Sequence, residues 1–132
     1  MELLPLLRGQ AEVAAGPEAA PVEVAAVRAL LVSTTVYPVG HRKYAGIERF
    51  IYDFAAALAR LGVEVSLAAP KGSAAPEGVE LIETVELPRQ RDRDDLAYYW
   101  YCHRLGEFDV IHDFSHMKVA ALRDPGLPAV NM

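Results

Sequence analysis

The chain has 132 residues, 52% of them hydrophobic, which is enough apolar sequence for the core of one domain and excludes wholesale disorder. Its net charge of −5 argues against nucleic acid or an anionic membrane as the main partner. The single cysteine, Cys102, excludes an intrachain disulfide framework and a multi-cysteine zinc site. No apolar run approaches the roughly 18 residues that span a bilayer, and no basic segment precedes an apolar core at the N-terminus. We therefore expect a cytoplasmic domain without a transmembrane segment.

Residues 1–27 differ in composition from the rest of the chain and are interpreted as a flexible or docking N-terminal extension. Four residues that interrupt helices lie within them: Pro5, Gly16, Pro17 and Pro21. The interpretation as a segment that docks on a partner rests on four leucines: Leu3, Leu4, Leu6 and Leu7. Residues 28–132 are predicted to form the folded domain.

Strand and helix patterns alternate from residue 28 onward. Residues 29–35 form a compact apolar run rich in β-branched side chains, which is typical of a strand buried on both faces of a parallel sheet. After a polar loop, helical periodicity puts six apolar residues on one face: Ile47, Phe50, Ile51, Phe54, Leu58 and Leu61. Glu48 falls off that face, and Gly62 follows the last periodic residue, where a left-handed C-cap is expected. Residues 63–69 alternate as a second strand, so the unit is a β-loop-α-β with parallel strands.

The patterns that follow are shorter. Strands are predicted over residues 79–83, 108–112 and 128–130, and helices over 96–105 and 115–122. The first of these helices has a predicted core-facing stripe: Leu96, Tyr99, Trp100 and His103. The alternative is that its aromatic rings stack on sugars or bases. The predicted fold class is α/β, an open and mostly parallel sheet with helices on both faces, whose last strand begins where the chain stops.

The loop over residues 37–46 is the first candidate ligand site, because ligands of open α/β sheets bind beyond the carboxyl ends of the strands. Gly46 begins the helix, where free N–H groups favour an anion, and its missing Cβ lets a phosphate or sugar approach the backbone. Lys43 and Arg42 add positive charge. Gly40 and Gly46 do not form the dinucleotide-binding fingerprint. An ordinary loop with Gly46 selected for packing is the alternative.

The second candidate site is the segment 112–116, which follows another predicted strand. His112, Asp113, Ser115 and His116 are typical of a polar rim that hydrogen-bonds a hydroxylated substrate, with histidine as a proton-transfer group. Two histidines and one carboxylate are too few for an assured zinc site, so no metal is predicted. The alternative is structural: His112 ends a strand and Ser115 caps the next helix.

Several stretches of the chain together resemble a known family. The sequence has Tyr-Pro at 37–38, Ala-Gly-Ile-Glu-Arg at 45–49, Gly-Val-Glu-Val at 62–65 and Phe-Asp-Val-Ile-His at 108–112. These stretches resemble the N-terminal domain of family 4 (group 1) glycosyltransferases, which have the GT-B fold. The likeness covers about residues 28–130. It departs from the family pattern at Ala45, where the family often has the first glycine of a pair.

The resemblance implies a Rossmann-like lobe that takes the acceptor, with the nucleotide-sugar mainly on a second lobe and no metal or other cofactor. It implies catalytic roles for His112 and His116. The residues implied in binding substrate or phosphate are Gly40, Lys43, Ala45, Gly46, Asp113 and Ser115.

The expected function is therefore the acceptor-side lobe of a glycosyltransferase. Its ligands would be a nucleotide-sugar and a sugar or lipid-linked acceptor. The chain ends at Met132, before the donor lobe and its acidic motif, so we expect no transfer without a donor-lobe domain or subunit. The alternative is a non-catalytic α/β module that binds a sugar or a partner. A dinucleotide-dependent redox domain is disfavoured because the glycine fingerprint is missing.

Overall fold

The computed structural model describes residues 26–40, 46–86, 93–116, 118–120, 126 and 128–131. Their five strands are β1 (Arg28–Val32), β2 (Glu64–Ala69), β3 (Glu80–Glu83), β4 (Val110–Asp113) and β5 (Ala129–Asn131). These strands form one sheet in the order β3-β2-β1-β4-β5, and every neighbouring pair is parallel. The predicted α/β, Rossmann-like fold is confirmed. Residues 1–25, most of the predicted extension, lie outside the described residues.

Helices cover both faces of the sheet, as predicted. One face packs against α1 (Gly46–Arg60), and the other packs against α2 (Asp94–Tyr101) and the 3-10 turn that continues it (Cys102–Glu107). Alternate residues of β1 enter the two cores, because successive side chains of a strand point to opposite faces. Leu31 joins the α1 side with Ile51 and Ala55, whereas Leu30 joins the α2 side with Tyr101.

The buried face of α1 is narrower than the sequence predicts. Ile51 and Ala55 are completely buried, but Phe50 is 44% exposed and Leu61, beyond the helix end, is 53% exposed. Glu48, predicted to lie off the buried face, is only 1% exposed. Glu48, Ile51 and Ala55 follow one another at helical spacing, so the helix presents this line of residues to the sheet. The carboxylate of Glu48 therefore lies in the interior of the domain.

Gly62 ends α1 as predicted, with φ of +92°. We expect Gly62→Ala to lower the free energy of unfolding by about 1 kcal/mol, because a Cβ is strained at positive φ. Apart from Gly62 itself and its two chain neighbours, no described residue has an atom within 4 Å of the added Cβ, so crowding is not the cause. Urea unfolding measures the effect. Gly106→Ala, where the space is also open and φ is not positive, is the control, and an equal loss in both variants would contradict the explanation.

The predicted stripe of α2 is wrong. Leu96, Tyr99 and Trp100 are 36%, 58% and 50% exposed, and His103 is exposed as well. The buried residues of this segment are Asp94, Ala97, Tyr101 and Leu105. The physical reason is that the carboxylate of Asp94, the first residue of α2, accepts a hydrogen bond from the Thr35 hydroxyl, which fixes the rotation of the helix about its axis.

The remaining boundaries differ by a few residues from the prediction. β1 ends at Val32, three residues early, and β4 runs on to Asp113. Val119 and Ala120 are helical, but much of the predicted helix 115–122 lies outside the described residues. No helix in the described ranges is both long and apolar enough to cross a membrane.

Candidate functional site

Buried polar side chains collect where the central strands end. Three follow β1 (Ser33, Thr34 and Thr35), two lie at the end of β4 (Asp113 and Ser115), and Thr84 follows β3. Parallel pairing puts all these strand ends at one edge of the sheet. Backbone hydrogen bonds continue the pairing into the loops, from Ser33 N to Ala68 O at 2.9 Å and from Phe114 N to Val32 O at 2.8 Å. The sheet itself therefore holds this polar edge in place.

The loop after β1 is joined to α1 by a buried hydrogen bond. The Thr34 hydroxyl donates to Glu48 Oε2, and the other carboxylate oxygen, Oε1, is buried without a hydrogen-bond partner in the described part of the chain. Glu48 lies in the first turn of α1, where the helix dipole favours negative charge. Sequence reasoning missed this residue, although a glutamate two residues after the first helical residue is a recognised signal of a helix start.

We expect Thr34→Val to lower the free energy of unfolding by about 1–3 kcal/mol, because Glu48 Oε2 loses its partner and neither oxygen of this buried carboxylate is then hydrogen-bonded within the described residues. Chemical denaturation measures the loss. Thr84→Val is the matched control: Thr84 is equally buried at 1% exposure, but its hydroxyl has no partner among the described residues. The control should be neutral or stabilising. Equal destabilisation of the two variants would show that the Thr34 hydrogen bond is not the cause.

Thr35 makes the corresponding connection to the other helix. Its hydroxyl donates to Asp94 Oδ1 at 3.0 Å and accepts from the backbone N–H of Arg93. Consecutive residues after β1 thus reach opposite sides, Thr34 to α1 and Thr35 to α2. This hydroxyl pair fixes both helix starts against one strand end, and the sequence analysis did not find it.

Asp113 and Ser115 organise the turn after β4. Asp113 is completely buried, and its Oδ1 accepts from Ser115 N at 2.9 Å. Ser115 Oγ in turn accepts from Lys118 N at 3.2 Å, which is the pattern of a serine before a helix. Burial raises the pKa of the Asp113 carboxyl, and the negative charge of Asp94 acts in the same direction. Within the described residues Asp113 Oδ2 has no hydrogen-bond partner.

The raised pKa of Asp113 predicts a specific pH dependence. Between the ordinary carboxyl pKa of about 3.9 and the raised value, the folded chain binds more protons than the unfolded chain. The contribution of Asp113 to stability therefore decreases as the pH rises through this window. Asp113→Asn removes the titration and keeps the oxygen that accepts from Ser115 N. We expect the stability of the variant relative to wild type to increase with pH, measured by urea unfolding.

Asp95→Asn, which removes an exposed acidic charge from the same protein, is the control for the loss of charge. A difference between the Asp113 variant and wild type that is constant with pH would contradict the assignment of a raised pKa.

His112 lies in β4, within the strand predicted over residues 108–112, and its side chain is half-buried in an aromatic cluster. Its ring stacks on Phe114, with centroids 4.1 Å apart and planes at 12°, and meets the Phe54 ring edge-on at 5.4 Å. Burial lowers the pKa of His112, which favours the neutral ring at neutral pH. Register pairs His112 with Leu31 and Asp113 with Val32, so the two side chains point to opposite faces of the sheet. The catalytic role of His112 stays a prediction.

The other predicted site residues are distributed around the same edge. His116 is exposed at the end of the turn after β4, and Ser115 beside it is buried. Gly46 is the exposed first residue of α1, with no described atom within 4 Å of where a Cβ would stand, and Gly40 is buried. Lys43 and Ala45 lie outside the described residues. The binding roles of these residues remain predictions.

A parallel α/β lobe with polar groups at its carboxyl edge defines a class of ligand-binding domains. Comparison with protein families is more specific: the model of Glycosyltransferase Family 4 matches residues 44–130, about two thirds of the chain. The chain therefore belongs to Glycosyltransferase Family 4. A comparison with curated proteins gave no match.

Proposed function

We propose that residues 28–132 form the acceptor-side lobe of a glycosyltransferase, which moves a sugar from a nucleotide-sugar to an acceptor. Membership of Glycosyltransferase Family 4 supports sugar transfer as the chemistry. The proposal also assigns the lobe to the cytoplasm, where the free thiol of Cys102 stays reduced.

The observation that carries the proposal is the polar edge built on β1 and β4. Glu48 and Asp113 each have a buried oxygen without a partner in the described ranges, next to hydroxyl groups that fix the surrounding turns. These buried groups hold the turns in place, and a sugar acceptor, which presents several hydroxyl groups, would meet the exposed groups that the turns carry, His116 and the first backbone N–H groups of α1. Such an edge suits a polyhydroxylated ligand better than an apolar one.

The proposed roles follow from position. The exposed imidazole of His116 stands where it can exchange a proton with an acceptor hydroxyl, and Ser115 and Asp113 hold the turn that carries it. Gly46 leaves room at the start of α1 for a phosphate or sugar beside free backbone N–H groups. Gly40, Lys43 and Ala45 would contact the same phosphate or sugar.

We further propose that this lobe is inactive without a donor-binding lobe. Group transfer requires both substrates to be held in contact and shielded from water. The described residues form one sheet with one polar edge, which supplies a single wall of such a cleft. The second wall would come from a lobe that binds the nucleotide-sugar.

Amide hydrogen exchange tests the acceptor-side assignment in the chain assembled with a donor-binding lobe of this family. Addition of acceptor should slow exchange in residues 33–40, 46–50 and 113–116, and addition of nucleotide-sugar should protect mainly the other lobe. The opposite distribution would overturn the assignment. Protection of the same residues by a sugar, with no turnover in the assembled protein, would instead support a non-catalytic binding module.

A further inference from the structure

A second concave surface lies at the same edge of the sheet, beside the candidate site. It is a groove of about 520 Å³ next to the carboxyl ends of β2 and β3 and the start of α2. Its lining includes Lys71, Thr84, Glu86, Arg93, Tyr99 and Trp100. Nothing in the function proposed above uses them.

The aromatic side of the groove is unusually exposed. Trp100 and Tyr99 are 50% and 58% exposed, although the sequence pattern predicts both in the core. Large apolar side chains that stay exposed to solvent in a concave surface are typical of a ligand-binding site. The flat face of an aromatic ring suits the apolar face of a sugar ring or a base.

The lining of the groove also carries two cations, Lys71 and Arg93. Among the described lining residues the only carboxylate is Glu86, although the net charge of the chain is −5. The Lys71–Glu86 ion pair is long, at 3.9 Å, and both side chains are at least half exposed, so a ligand anion can replace it at little cost. The local charge therefore favours an anionic group.

The groove is built on fixed backbone. Lys71 N donates to Val85 O at 3.0 Å, which joins the loops after β2 and β3, and the Arg93 N–H donates to Thr35. The Thr84 hydroxyl at the floor is buried and lacks a partner among the described residues. The backbone segments that carry the aromatic rings and the cations are thus joined to one another before a ligand binds, which lowers the entropy lost on binding.

We propose that this groove extends the acceptor site of the polar edge and binds a sugar ring of the acceptor that carries an anionic group, either a phosphate or a carboxylate. The ring stacks on Trp100 and Tyr99, and Lys71 and Arg93 contact the anion. This inference rests on the proposed acceptor-side function and names the class of acceptor.

Trp100 is the only tryptophan of the chain, so its fluorescence reports directly on the groove. The full chain is titrated with the 6-phosphates of glucose, galactose and mannose, with glucuronate, with glucose and with inorganic phosphate. Binding of at least one sugar phosphate or of glucuronate, with protection of Trp100 from iodide quenching, is expected. The preferred probe identifies the anion as phosphate or carboxylate. Glucose and inorganic phosphate should each bind at least about tenfold more weakly than that probe.

Lys71→Gln and Arg93→Gln should each weaken binding of the preferred probe about tenfold, through loss of one charge-assisted contact. Arg60→Gln is the matched control, since it removes one exposed cation from the last turn of α1, on the other face of the sheet. Absence of binding by every anionic sugar, equal binding of inorganic phosphate, or tighter binding of uridine diphosphate would overturn the proposal. So would an equal effect of the Arg60 variant.

The titration requires neither a donor lobe nor turnover. If the groove binds no anionic sugar in a lobe that supports transfer, only the assignment of an anionic acceptor is refuted. A groove that binds the anionic sugar, in a chain that supports no transfer with a donor lobe, refutes the proposed function alone.

Discussion

Replacing Tyr101 by alanine should lower the free energy of unfolding by about 3–5 kcal/mol. Tyr101 is among the largest fully buried side chains, 1% exposed, and it fills the core between α2 and the sheet. Its removal leaves a cavity lined by side chains such as Leu30 and Ile111, which the parallel strands hold apart. Urea unfolding, followed by far-ultraviolet circular dichroism, measures the change.

Tyr99→Ala is the matched control, with the same truncation two residues away in the same helix. Because Tyr99 is 58% exposed, we expect a change within about 0.5 kcal/mol. The sequence pattern predicts the reverse order, with Tyr99 in the core. A larger loss at Tyr99 than at Tyr101 would show that α2 is rotated from the orientation described.

If His116 transfers a proton as proposed, replacing it by alanine should lower the turnover of the chain assembled with a donor-binding lobe at least about a hundredfold, which is the usual contribution of a positioned general acid or base. The imidazole is exposed, so the free energy of unfolding should change little. Initial rates of sugar transfer over a range of pH values measure the effect. Loss of a pH-dependent limb in the rate profile would distinguish proton transfer from simple positioning.

His103→Ala, which removes an exposed histidine of the 3-10 turn remote from the strand ends, serves as the control and should leave turnover unchanged. Full activity of the His116 variant would remove this residue from the proposed machinery. The acceptor-side assignment would then depend on the remaining edge residues.

The fold could be predicted from the sequence because its strands are coded locally. An uninterrupted apolar run indicates a central parallel strand, and Gly62 marks the end of α1 by a backbone conformation that other residues avoid. The rotation of the two helices could not be predicted. It depends on the hydrogen bonds of Thr34 and Thr35 to Glu48 and Asp94, which join residues 14 and 59 positions apart.

The candidate site was predictable in outline and not in detail. In an open parallel sheet, ligands bind beyond the carboxyl ends of the strands, so the segments after β1 and β4 are the natural candidates for a ligand site. The environment of His112 could not be predicted, because the short strand pattern does not tell which face of the sheet each side chain joins; in the structure the ring packs against Phe54 and Phe114. From the sequence, aromatic stacking on a ligand was only the alternative to a core stripe, because helical periodicity alone does not tell which face of α2 meets the sheet.

Sugar transfer by the separate and combined lobes tests the central proposal most directly. The chain, a donor-binding lobe of this family and their mixture or fusion are each incubated with nucleotide-sugars and candidate acceptors, and the glycosylated product is quantified. We predict product only when both lobes are present, with turnover reduced by His116→Ala. Transfer by the chain alone, or neither product nor a stable complex with its partner lobe, would contradict the assignment of an acceptor-side glycosyltransferase lobe.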